Sequence, residues 1–301
     1  MKKHSFKRLI LACALILVMA FVACTSQRFV DDRPLAVVSI LPQKSLVEAI
    51  AGKHFEVMVL VPEEGNHETY EPEARQLANM SKALVYFKNG LLGFEKSWLP
   101  GIAQSNPEMK VVNLSEGIQL IRGHEIPHGD HIHEGGIDPH FWLSVSAVRI
   151  QAGHVAAALK QLDPEHAQEY DYNHLQYLAH LDSLDLELKE ILKGMSGSSF
   201  MIFHPSLGYF ARDYHLEQIA IEYEGKEPGP AYLRSLVDVA REKNIRILFV
   251  SSQFSSKSAE VIARQINAGL KSFNPTALDW EQSLLTVAHD LAAAAPNKIN
   301  P

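Results

Sequence analysis

The strongest constraint on the fold is a repeated alternation of short apolar runs with stretches of helical periodicity, interrupted once by a long helical tract. The runs are LAVVSIL (35–41), VMVLV (57–61), ALVYF (83–87) and VVNL (111–114), then SFMIF (199–203), LEQIAI (216–221) and IRILFVS (245–251). Such alternation predicts mainly parallel sheets with crossover helices. From Ser144 to about Met195 no strand-like run occurs, and apolar residues recur at helical spacing through VRIQAGHVAAALKQL and LQYLAHLDSLDLELKEIL. The Asp163-Pro164-Glu165 step predicts a helix start, since Asp accepts the first free amides and Pro suits the first turn. That helix is expected from Pro164 to Leu192, about 28 residues, which is long for a globular protein. The chain therefore reads as two α/β halves joined by a long helix.

A chain of 301 residues is long enough for one large domain or two ordinary ones. A net charge of -7 with no basic patch argues against a nucleic-acid partner. The first residues differ from the rest: MKKHSFKR is cationic, and LILACALILVMAFVA from Leu9 to Ala23 is uninterrupted apolar sequence ending at Cys24. That run is shorter than the ~20 residues of a membrane-spanning helix, so residues 1–23 are expected to be an export signal. Phe21-Val22-Ala23-Cys24 before Thr25-Ser26-Gln27 resembles a bacterial lipobox, in which the cysteine becomes the lipid-modified first residue; Phe21 departs from the leucine most common there. Cys13 would leave with the signal, so no intramolecular disulfide and no cysteine-based zinc site is expected. Residues 24–34 read as a short tether.

Four polar residues fall near the expected ends of strands, where open α/β sheets bind ligands. They are His67 in VPEEGNHETYEP, His140 in DPHFW, His204 in FHPSLGYF and Asp279 in FNPTALDW. Three imidazoles and one carboxylate fill a tetrahedral zinc shell without cysteine. Each residue alone has a bland reading: a lone loop histidine is more often solvated, Asp279 suits a cap on the helix starting at Trp280, and Asp138 suits a local turn.

Taken in order, GNHETYEP, GGIDPHFWLS, FHPSLGYFARDYHL and the late LDW are similar to the signature segments of the ZnuA- and TroA-like (cluster A-I) solute-binding proteins of bacterial ABC importers. The resemblance implies two α/β domains, each a mainly parallel sheet flanked by helices, bridged by one long rigid helix, with metal in the interdomain cleft. It places the N-terminal domain at 35–160, the linking helix at 161–193 and the C-terminal domain at 194–301. It implies His67, His140 and His204 as metal ligands and Asp279 as the fourth, with Glu68 or water as competitors for that place. This chain departs from the family's common Pro-His at the first ligand, having Asn66-His67-Glu68. Where manganese and iron members carry glutamate at the third ligand, this chain has His204; nitrogen-rich sites suit zinc, so Zn²⁺ is expected over Mn²⁺. Asp138 and Glu222 or Glu224 are candidates to orient imidazoles, local hydrogen bonding being an equal account. Trp142, Phe141, Tyr70, Phe203 and Tyr209 either wall the site or are ordinary core.

His124, His128, His131 and His133 lie in a polar segment, 124–136, without apolar periodicity, expected to be a solvated loop. It resembles the acidic histidine-rich loop of zinc-importing members, which implies a weak auxiliary metal site, a plain hydrophilic surface loop being the alternative. The reading that follows is an exported, lipid-anchored, monomeric receptor handing Zn²⁺ to a permease and its ATPase. A Mn²⁺- or Fe²⁺-binding receptor of the same family, a zinc hydrolase with water as fourth ligand and an adhesin with incidental metal are the alternatives, although HExxH, nucleophile-elbow and phosphate-loop motifs are lacking. Cys24→Ser should release the protein from the membrane fraction or stop its processing; unchanged retention with normal processing, read on a fractionation blot, would refute the anchor.

Overall fold

A computed structural model of the chain describes residues 33–122, 126–128, 131–133, 136–222, 228–251, 253 and 257–295. Cys24, the signal and most of the tether lie outside these residues, as do His124 and Glu224. The first half carries strands β1 (Leu35–Val38), β2 (Glu56–Val59), β3 (Val85–Lys88) and β4 (Lys110–Asn113), in spatial order β2-β1-β3-β4 and parallel throughout. Helices α1 (Leu41–Ala51), α2 (Ala74–Met80) and α3 (Gly93–Ser105) make the crossovers. The central strands bury both faces, so they read as continuous apolar runs; Ala36, Val37 and Val38 are fully buried.

After β4 a polar excursion leads to helix α4 (Val145–Leu162) and the long helix α5 (Ala167–Ile191), which packs against it. The excursion is closed at its base by an antiparallel bridge, Arg122 with Ile137. It contains a small hairpin, β5 (Ile126–His128) with β6 (His131–His133), in which His128 lies opposite His131 along the backbone. Within the loop expected at 124–136, Ile126–His128 and His131–His133 thus pair as strands, each too short to give a strand signal in the sequence.

The second half repeats the first. Strands β7 (Ser199–Ile202), β8 (Glu217–Ala220), β9 (Ile247–Val250) and β10 (Gly269–Ser272) form a parallel sheet in the order β10-β9-β7-β8. Helices α6 (Gly208–Asp213), α7 (Pro230–Glu242) and α8 (Lys257–Ile266) connect them, and α9 (Trp280–Ala294) closes the described chain. Strand β10 had no signal in the sequence, because GLKS is an exposed edge strand with no apolar face to bury.

The predicted helix start at Asp163 is a three-residue 3₁₀ turn, Pro164–His166, running into the 25 residues of α5. Asp163 does not cap backbone amides as expected. Its Oδ2 instead accepts from His166 Nδ1 at 2.7 Å and from the Tyr170 hydroxyl at 2.5 Å. Helix α5 buries Tyr170, Tyr177, Leu181, Leu184 and Leu188, a stripe of seven-, four-, three- and four-residue steps. Its first turns meet α1, where Asn173 Nδ2 donates to the Ile50 carbonyl at 3.1 Å, and it also packs on α9.

One hydrophobic core runs through both halves along this helix, from Val37 and Phe87 past Leu181 and Leu188 to Phe200 and Trp280. A second cluster around Met201, Leu248 and Ile262 belongs to the C-terminal half alone. Leu188→Ala should therefore cost about 2–5 kcal/mol in urea denaturation. Leu186→Ala, two residues away on the exposed face, should fall within about 0.5 kcal/mol of wild type.

Candidate metal centre

The site is assembled from three loops. His67 stands beyond the carboxyl end of β2, in a turn where Gly65 N donates to the Pro62 carbonyl at 2.9 Å. Asn66 Oδ1 accepts from Glu68 N at 2.9 Å, an Asx turn that fixes the backbone around His67. Asn66 thereby does by hydrogen bonding what a proline does by ring closure. His204 follows β7 after one residue, as the strand ends predict. His140 differs from expectation: it follows no strand, but stands at the start of the 3₁₀ turn Phe141–Leu143 that leads into α4.

The DPH turn is held from four directions. Asp138 Oδ1 accepts from both His140 N at 2.8 Å and His140 Nδ1 at 2.7 Å, so the local-turn and imidazole-orienting readings are both satisfied. Tyr209 donates its hydroxyl to the Asp138 carbonyl at 2.8 Å, and Asn89 Nδ2 donates to the Pro139 carbonyl at 3.3 Å. Asn89 itself rests on a buried network, its N–H donating at 2.7 Å to Glu95, whose carboxylate also accepts from Ser39 and Gly90. Gly208 allows the close approach of α6: a Cβ there would meet Asp138 Oδ2 at 2.8 Å.

These elements bring the three imidazoles together. Nε2 of His140 lies 2.9 Å from Nε2 of His67 and 3.2 Å from Nε2 of His204. Four nitrogens at a zinc–nitrogen distance of ~2.05 Å around a tetrahedron are roughly 3.3 Å apart, so the spacing is within a few tenths of an ångström of a zinc shell. All three rings are buried, at 0%, 2% and 3% exposure. Carboxylates accept and cannot donate, so Asp138 and Glu222 (2.8 Å from His204 Nδ1) fix the proton on Nδ1 and leave Nε2 as the free donor pair.

His67 is oriented differently. Its Nδ1 has no hydrogen-bond partner among the described residues, and neither has the buried Oε1 of Gln253. The Gln253 amide is felt at the ring, opposing the lowering of its pKa by burial and by His140 and His204, which dominate. Gln253 Nε2 is anchored on Thr276 Oγ1 at 2.8 Å and on the Glu63 carbonyl at 3.3 Å. Glutamine 253 carried no signal in the sequence, being an uncharged residue in an unremarked loop. For His204, burial lowers the pKa but the Glu222 hydrogen bond, with Glu68 behind it, leaves it raised. His67 is thus held neutral and ready to bind, while protons compete first at His204.

Trp142 walls the centre, its ring 5.5 Å from His67 and 5.0 Å from His140, with Nε1 donating to the Pro275 carbonyl at 2.7 Å. Phe141, Phe203 and Tyr209 are buried core; Tyr70 is half-buried and lines a neighbouring cavity. Glu68 Oε1 is 3.6 Å from His204 Nε2, and Glu68 also lines that cavity of about 440 Å³ with Tyr70, Phe94, Ser97 and Trp98. Asp279 does not join the three histidines: it is exposed and caps α9, Oδ1 accepting from Gln282 N at 3.0 Å. The side chains of His128, His131 and His133 lie outside the described set.

The family model for zinc-uptake complex component A, periplasmic, matches residues 36–287. A crystal structure of ZnuA is 41% identical with a TM-score of 0.80, covering 87% of this chain and 99% of that one. A zinc-bound ZnuA deletion mutant is also 41% identical, with a TM-score of 0.79 over 90% of this chain and all of that one. The high-affinity zinc uptake system protein ZnuA of Bacillus subtilis (strain 168) is 28% identical, over 91% of this chain and 88% of its own length. Because Gln253 faces His67, Gln253→Leu should weaken metal binding by about tenfold to a hundredfold, the usual effect of losing an orienting partner, in a chelator-competition titration.

Proposed function

The chain belongs to the family of zinc-uptake complex component A proteins, and from that premise we propose that it is the extracytoplasmic receptor of an ABC importer, capturing Zn²⁺ for delivery to a permease. The observation that carries this reading is the convergence of the buried Nε2 atoms of His67, His140 and His204 at near-tetrahedral spacing. Imidazole nitrogens favour zinc, whereas manganese favours oxygen donors. The ion is cargo, held by residues from both halves: His67 and His140 from the first, His204 from the second. Burial suits capture, since it excludes the water and substrate that a hydrolytic zinc needs in its open position. We assign no catalytic residue.

Glu68 is the proposed fourth ligand, as its carboxylate is near His204 and open to the surface cavity through which an ion would arrive. Asp279, the residue the family resemblance offers for this place, serves as a helix cap in the geometry described above. Lipid anchoring through Cys24 and a monomeric state complete the proposal; a tether would keep the receptor at high effective concentration beside its permease.

A competition titration tests both metal and ligand. Wild type should bind zinc more tightly than manganese, and His204→Glu should shift the preference towards manganese; equal or reversed wild-type affinities would refute the zinc assignment. Glu68→Gln should weaken zinc binding. Asp279→Ala should leave it unchanged while costing about 1 kcal/mol of stability through the lost cap. A large loss of affinity in Asp279→Ala alone would show that Asp279 closes the shell.

A further inference from the structure

Away from the centre, the amino end of the first sheet holds a second convergence of metal-ligating side chains. His54 lies in the turn just before β2, whereas His67 lies beyond the opposite end of that strand. The 18 residues of α4 carry the chain about 27 Å from the His140 loop to Asp163. There one ligand atom each from His54, Asp163 and His166 lie within 4.8 Å of one another. Glu169, in the first turn of α5, adds a second carboxylate, its Oε2 2.9 Å from His54 Nε2. The His54 and His166 rings stack with centroids 3.8 Å apart and planes at 28°.

We propose that His54, Asp163, His166 and Glu169 form a second cation site, for a divalent transition metal of the imidazole-binding class, joining the α1–β2 turn to the base of the long helix. Two imidazole nitrogens and two carboxylate oxygens make a complete tetrahedral donor set for zinc, and copper or nickel accept the same donors. The charge also balances. Two ionised carboxylates and two neutral rings carry −2, which one divalent ion cancels; the central site has three neutral rings and leans on Glu68 for its charge.

Without an ion, each ring is paired with its own carboxylate, His54 with Glu169 and His166 with Asp163, and each pair shares a proton where a metal would bond. Binding an ion requires the rings to leave their stack, turning one lone pair each inwards, and the ligand atoms to close from within 4.8 Å to roughly 3.3 Å. The groups are placed to allow this, since His54, Asp163 and His166 are only half-buried and the Glu169 side chain is 45% exposed. The Tyr170 hydroxyl, donating to Asp163, would remain as the outer partner orienting that carboxylate. Lys53 also acts on Glu169, so an incoming ion must compete with its charge. Both the competition and the needed ring rotation make this the weaker of the two sites.

The test uses the full mature chain with the central site removed by His67→Ala and His140→Ala, and with His124, His128, His131 and His133 changed to Asn. Titrated with zinc alone against a chromophoric chelator, this protein should still take up one equivalent, and zinc should raise its Tm. Adding His54→Gln and His166→Gln should abolish both effects. Absence of the residual equivalent, or its survival in the His54/His166 variant, overturns the site. Should that variant fail to fold by circular dichroism, Glu169→Gln, at an exposed position, must weaken the residual equivalent; an unchanged titration there overturns the site as well. Because two of the three central imidazoles are absent throughout, and only the His54, His166 and Glu169 changes separate the compared proteins, failure here is distinguishable from failure of the principal zinc site.

Discussion

Three buried imidazoles, with Nε2 of His67 and of His204 lying 2.9 Å and 3.2 Å from Nε2 of His140, repel one another unless something positive lies between them. Much of the surrounding architecture answers that constraint. Asp138 and Glu222 fix two rings from behind, Trp142 closes the wall, and a buried network through Asn89 and Glu95 holds the His140 turn in place. The ligands are thus oriented by the protein's own bonds, and what those bonds supply to an ion is pre-organisation. The cost is carried by the fold: burial first, then the neighbouring His140 and His204, push His67 towards neutrality, which is the form that binds.

Because the ligands come from both halves, the halves must be registered against each other to a fraction of an ångström. The shared core along α5 does this on one side. On the other, cross-half hydrogen bonds act: Tyr209 to Asp138, Trp142 to Pro275, Arg212 to the Gln119 carbonyl, and Ser144 to Asp213. Bonds and a continuous apolar core of this kind tie the two halves together on both sides of the histidines.

Most of the fold was legible because buried parallel strands must be apolar throughout, and seven such runs stood in the sequence. What escaped notice lacked that pressure. Strand β10 is an exposed edge, and the strands Ile126–His128 and His131–His133 have three residues each, too short to show an apolar run or alternation. At the site, His67 and His204 were placed by their strands, and the geometry unites them with His140 although no strand delivers it. Asp279 looked equally eligible, but an aspartate before a helix satisfies backbone amides whatever else it might bind. Gln253 could not have been found, since an amide reveals its role only when the ring it faces is on the page.

The edge strand β10 has a consequence beyond the sheet it completes. Among the described residues it pairs only with β9, and an unpaired strand side is the template on which misassembly between copies starts. Here the exposed edge is four residues long, opens with glycine, and carries Lys271 in an ion pair with Asp290 at 2.7 Å. A short, charged, glycine-led margin resists the addition of a neighbour's strand. A strand with all four residues exposed thus adds nothing to the core it borders, and its use is to end the sheet without inviting a neighbour.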